Sequence, residues 1–235
     1  MKIRLKRLGF LCAMIVCAGI VLASGAQAVA VPAPQQAYSL LTYTPSDTIR
    51  IQYPQFSGAE NDALNTLVLD YASQLVPADL DLSTVTIDYQ AAVTLYNAKI
   101  ASIVFWGDSD VEGSIHPFSD LFALNVDLST LAILTVDDLF TVDGAFQAVL
   151  FEKAFFPTEP VTAYTADTFA EPFAMLNEMY QSIGLGGELT CFFKPDGVVF
   201  SLPSIHASGS DHLEAELRYA DVQPFYIPAQ NYWED

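Results

Sequence analysis

The sequence has 235 residues, of which 52% are apolar and 12% aromatic, enough to bury a core, so its net charge of −19 does not signal a disordered chain. Nine basic residues stand against 28 acidic ones. Such a field repels nucleic acid and anionic membrane surfaces and steers cationic partners inward.

The basic residues are concentrated at the start, where Lys2, Arg4, Lys6 and Arg7 precede an apolar run from Leu8 to Ala23. Ala26-Gln27-Ala28 then places small residues at −3 and −1 of a cleavage point, so 1–28 reads as a signal peptide. The run is shorter than the roughly 20 residues of a membrane-spanning helix and lacks a charged stop-transfer flank. Export to the periplasm or the medium is expected, with no membrane insertion after cleavage. Removing 1–28 takes away four of the nine basic residues and none of the 28 acidic ones, which leaves a net charge of −23. Cys12 and Cys17 go with it, and Cys191 alone cannot form an intramolecular disulfide.

Residues 29–44 form a Pro/Ala/Gln spacer and the first strand. Two short strands are expected at Tyr38–Tyr43 and Thr48–Tyr53, with Pro54 ending the second because it offers no amide donor. Ser57 and Glu60 have the spacing of a capping box, and Leu64, Leu67, Val68, Tyr71, Ala72 and Leu75 make the apolar stripe of a helix that Pro77 closes. Thr84–Tyr96 and Ile100–Trp106 read as a hairpin turning at Asn97-Ala98-Lys99. Turn residues cluster at 107–112, which places a boundary between an N-terminal α+β subdomain, 45–110, and a C-terminal one, 111–225.

Beyond that boundary Phe118–Leu128 is a strand, with Leu131–Leu134 returning beside it, and a helix capped by Asp143 runs to Phe155. Another helix is expected from a capping box at Thr168 and Glu171 to Ile183, where Gly184 ends it. Glu188–Phe193 and Val198–Leu202 flank a Lys194-Pro195-Asp196-Gly197 turn, and His212–Val222 alternates apolar with polar residues. A tail, 226–235, carries Tyr232-Trp233, which should dock on the body or on a partner. The fold class is therefore α+β: antiparallel β-sheets packed with about three amphipathic helices in two small subdomains.

Tyr53-Pro54-Gln55, with the following helix carrying Asn61 and Asn65, resembles the opening of the first of two small domains found together in extracytoplasmic bacterial proteins. The second domain is matched by His116-Pro117, the strand Leu121–Asp127, Leu134-Thr135-Val136-Asp137-Asp138-Leu139-Phe140, and Phe192, Phe193, Gly197 and Val198 leading to His206-Ala207-Ser208-Gly209. This order resembles the RsiV-like and PdaC N-terminal-like extracytoplasmic domain pair, over roughly 45–225. Ser129-Thr130-Leu131 departs from the family's Thr-Gly-Lys-like turn. The resemblance implies a ligand that is either lysozyme or related to peptidoglycan; sigma-factor signalling and deacetylation are not carried over.

No motif identifies a reaction. There is no Gly-x-Ser-x-Gly elbow, and His116, His206 and His212 have no sequence neighbours that establish a triad. The His206, Asp211, His212 spacing is not a zinc pattern, and the acid pairs Asp108/Asp110 and Asp137/Asp138 lack a calcium loop, so neither a metal nor a cofactor is expected. Trp106, Tyr226, Tyr232 and Trp233 could stack on sugars, though aromatics at strand positions are mostly core. The ligand-binding candidates are His116, Pro117, His206, Asp211, His212 and Trp233, with no catalytic residue assigned. The leading expectation is an exported, non-enzymatic cell-envelope binding module for a cationic protein such as lysozyme, or for a glycan. A small envelope hydrolase with a His/acid site and a structural or assembly protein are the alternatives.

Overall fold

The computed structural model describes residues 38–78, 81–156, 189–203 and 211–234. The expected leader over 1–28, the helix expected over 168–183 and His206 lie outside these residues. What is described is α+β, built from two sheets. Strands β1 (Tyr38–Ser46), β2 (Ile49–Phe56), β3 (Val85–Tyr96), β4 (Ile100–Val111) and β5 (Phe118–Asp127) form the first sheet in that spatial order. Strands β6 (Thr190–Phe193), β7 (Gly197–Pro203) and β8 (His212–Arg218) form the second, antiparallel throughout.

One pairing in the first sheet is parallel, not antiparallel: Ile49–Ile51 lies beside Ile87–Tyr89. Helix α1 (Asp62–Gln74) connects β2 to β3 and returns the chain to the same end of the sheet, which is what a parallel pair requires. Because this pairing stops at Ile51, Pro54 meets no demand for an amide donor on that side, and β2 continues past it to Phe56.

The start of α1 also differs from the expected capping box. A 3-10 turn, Ala59–Asn61, precedes it after Gly58 at φ 96°, and no side chain caps either helix. The fastening is made instead by buried Asn65, whose side chain accepts from the Phe56 amide (2.7 Å) and donates to the Phe56 carbonyl (2.9 Å). The apolar stripe of α1 then packs Leu64, Val68 and Ala72 on Ile51, Ile87, Ile103, Phe105 and Leu124, forming the first core.

The second core lies on one face of the second sheet. Alternation sends Leu213, Ala215 and Leu217 of β8 and Val198, Phe200 and Leu202 of β7 into it, beneath α2 (Val136–Leu139), α3 (Gly144–Lys153) and the C-terminal segment. The Asp143 carboxylate caps α3, accepting from the Ala145 and Phe146 amides at 2.9 Å each. The β6–β7 turn needs Gly197, since a Cβ there would stand 2.4 Å from the Leu217 carbonyl oxygen. The position expected for a subdomain boundary, 110/111, falls at the end of β4, which pairs with β5 from Ile100↔Asp127 to Ser109↔Phe118. Strands from both sides of it therefore share the first sheet.

The two sheets meet through a small apolar cluster and a polar clamp. Val104, Phe192 and Val199 are buried against Ala92, Leu121 and Ala123. Beside them Ser102 and Asn125, register partners on β4 and β5, are both buried. The Ser102 hydroxyl donates to Asn125 Oδ1 (2.7 Å) and accepts from the Phe193 amide (2.9 Å), while Asn125 Nδ2 donates to the Cys191 carbonyl (2.7 Å).

Candidate functional site

Beyond that contact the sheets diverge and leave a groove. Two open hollows of about 570 and about 360 Å³ share Phe192 and Glu214 in their walls. The larger is lined by Gln90, Trp106, Asp108, Asp120, Leu121 and His212, among others; the smaller by Thr94, Lys194, Pro195, Val199 and Glu216. The alternation of β8 explains one wall: with Leu213, Ala215 and Leu217 committed to the core, His212, Glu214 and Glu216 must face outward. On the other wall Ala101, Ile103 and Phe105 belong to the first core, so Val104, Trp106 and Asp108 turn toward the groove.

Carboxylates dominate the polar lining. Lys194 Nζ sits 2.6 Å from Glu216 Oε2, and His212 Nε2 lies 3.9 Å from Glu214 Oε1. Burial pushes the Asp120 carboxyl above the usual carboxylate range, against the pull of hydrogen bonds from the Ser109 (2.5 Å) and Tyr89 (2.6 Å) hydroxyls. Opposite Asp120 in the register, position 107 requires glycine: at φ 152°, a Cβ would lie 2.0 Å from the Asp88 carbonyl oxygen of β3. Trp106, 36% exposed, lies on the same wall.

No family model matches the sequence, and no curated protein does. Solved structures do resemble the fold. A DUF3298 family protein from Pseudomonas aeruginosa PAO1 is similar over 81% of this chain and 94% of its own, at 13% identity and a TM-score of 0.49. A member of the same family from Bacteroides fragilis NCTC 9343 is similar over 81% and 92%, at 16% identity and a TM-score of 0.43. Both neighbours are thus proteins of a domain of unknown function.

Four of the residues singled out from sequence gather around the first two residues of β5. The His116 ring meets Phe118 edge-on at 5.8 Å, and its Nδ1 lies 3.0 Å from the carbonyl of Pro117. Asp211 accepts from the Ser119 amide (2.8 Å), and His212 Nδ1, 3.1 Å from the Ser119 carbonyl, must carry its proton there. That bond leaves Nε2 toward Glu214. Of the four, His212 lines the groove.

Trp233 lies elsewhere. It stacks on Tyr219 at 4.4 Å and 8°, meets Tyr226 at 4.4 Å, and packs on the second core, so the tail docks on the body. Among the groove residues absent from the candidates are Gln90, Trp106, Asp120, Leu121, Phe192, Glu214 and Glu216. Of these, Trp106 is named from sequence for its aromatic ring, and Glu214 and Glu216 stand on the wet face of β8.

Proposed function

We propose that this chain is an exported, non-enzymatic cell-envelope binding module whose acidic groove takes a cationic wall-active protein such as lysozyme, with a peptidoglycan-related glycan as the alternative ligand. The observation that supports the reading is the groove itself. Asp108 and Asp120 stand on one wall and Glu214 and Glu216 on the other, Trp106 lines the larger hollow, and Phe192 and Val199 supply apolar floor. Carboxylates accept hydrogen bonds only, and an aromatic face attracts a cation, so both elements favour a positively charged group. Export rests on residues 1–28, and the choice of ligand rests on the RsiV-like pattern from His116-Pro117 onward.

Titrating the protein with a basic lysozyme at low ionic strength is expected to give a complex that weakens as salt is added. Glu214→Gln and Trp106→Ala should each weaken it about tenfold. Absence of a complex at low salt would remove lysozyme as the ligand. Binding unaffected by both substitutions would remove the groove as its site.

A second reading, a small hydrolase using a His/acid pair, is favoured by one observation: His212 and Glu214 share the wall of the larger hollow. It requires hydrolysis of peptidoglycan fragments that is lost in His212→Ala; no turnover by the unmodified protein excludes it.

A further inference from the structure

We propose that the larger hollow of the groove is an arginine subsite: it takes the guanidinium of one arginine side chain presented by the cationic partner, in preference to a lysine ammonium. The inference rests on the reading of the groove as a site for a cationic protein and names the chemical group that it selects.

The two hollows differ in what balances their carboxylates. In the smaller, Lys194 Nζ stands 2.6 Å from Glu216 Oε2, so the chain supplies its own cation there. Among the described residues that line the larger there is no lysine or arginine, while Asp108, Asp120 and Glu214 all contribute. His212 is the basic group in that lining, and its Nδ1 proton is committed to the Ser119 carbonyl. The negative excess of the groove is therefore concentrated in the larger hollow.

Asp120 is built into that wall as a fixed acceptor. Its Oδ2 accepts from the Tyr89 hydroxyl (2.6 Å) and the Ser109 hydroxyl (2.5 Å), which orients the carboxylate. Burial makes its charged form costly, and an apposed cation offsets that cost.

The remaining lining decides between the two cations. Val104, Leu121 and Phe192 give the hollow an apolar floor, and Trp106 adds an aromatic surface on the wall that carries Asp108. An ammonium is a compact, strongly hydrated charge, and an apolar floor removes its water without replacing it. A guanidinium is planar and more weakly hydrated, it stacks on aromatic rings, and its five N–H groups spread in one plane. It is thus suited to donate to Asp120 on one wall and Glu214 on the other while its face rests on an aromatic ring.

Two blocked tripeptides, acetyl-Gly-Arg-Gly-amide and acetyl-Gly-Lys-Gly-amide, test this when titrated into the isotope-labelled protein and followed by nuclear magnetic resonance. The arginine peptide should bind about tenfold more tightly and shift the Trp106 indole resonance and the Asp108 and Ser119 amides. Trp106→Ala and Glu214→Gln should each bring the preference below about threefold. Asp70→Asn, which removes a charge exposed on α1, should leave it intact. Equal affinity for the two peptides overturns the proposal, as does a preference that Glu214→Gln leaves unchanged or that Asp70→Asn lowers equally. If Trp106→Ala does not fold, Glu214→Gln decides. Lysozyme titration separates this from the reading beneath it: capture of lysozyme with equal peptide affinities removes the arginine assignment alone, whereas an arginine preference in a protein that captures no lysozyme keeps the assignment and removes lysozyme.

Discussion

Replacing Asn125 with alanine is expected to cost about 3 kcal/mol of stability. Its amide donates to the Cys191 carbonyl and accepts from the Ser102 hydroxyl, and all three groups are buried where the second sheet rests on the first. Removing it strips a partner from a buried backbone acceptor and a buried hydroxyl, at roughly 1–3 kcal/mol each, and leaves a void behind. Ser102→Ala should cost less, since Phe193 loses an acceptor but Asn125 keeps its bond to Cys191. Urea unfolding of both single variants and of the double variant gives the coupling directly. A double-variant loss equal to the sum of the singles would show that the two side chains act separately, contrary to a clamp.

That clamp shows what was readable in the sequence and what was not. Elements governed by local rules are legible: β8 from strict alternation, α3 from the Asp143 cap, the β6–β7 turn from Pro195 and Gly197. Ser102 and Asn125 are not, because each resembles a surface residue until a strand 66 or 91 residues away in sequence is laid over it. Asn65 is marked in the sequence only as part of a resemblance; that it binds both backbone groups of Phe56 follows from the packing of α1 beside β2 and not from any local pattern. The parallel β2–β3 pairing follows from where α1 delivers the chain, which no periodicity reports.

The candidate site divides along the same line. His116, Pro117, Asp211 and His212 collect near the start of β5, where polar turns flank Phe118 and Leu213. The groove was not legible, because its lining is one residue in two from strands of both sheets. Trp106 illustrates the difficulty: by strand position it reads as core, but it faces away from α1 past the point where the second sheet covers Val104. Trp233, on a tail expected to dock on the body or on a partner, stacks on Tyr219 within the protein.

Converting Asp127 to asparagine is expected to cost about 2 kcal/mol at neutral pH and to flatten the acid limb of the stability curve. Burial alone would raise this carboxyl, but hydrogen bonds from the Ser129 hydroxyl and amide, the Tyr232 hydroxyl and the Thr130 amide outweigh it and hold it at about 2. Tyr232 remains a donor across the whole acid range, since burial pushes its phenol up, and Gln230 Nε2 adds a further bond at 3.0 Å. The tail is thereby tied to the end of β5, while Asn97 Nδ2 holds the Tyr232 carbonyl (2.8 Å) and Lys99 bonds the Glu234 carbonyl. A carboxyl depressed in the folded state stabilises above its unfolded pKa, near 4, and that contribution drains away as pH falls through about 2. The wild-type protein should therefore lose roughly 2 kcal/mol more than Asp127→Asn between pH 5 and pH 2, because every other carboxylate titrates alike in both. Parallel acid-unfolding curves would overturn the anchor, and since Asp127→Asn keeps the side chain's shape, a packing defect could not imitate the converging ones.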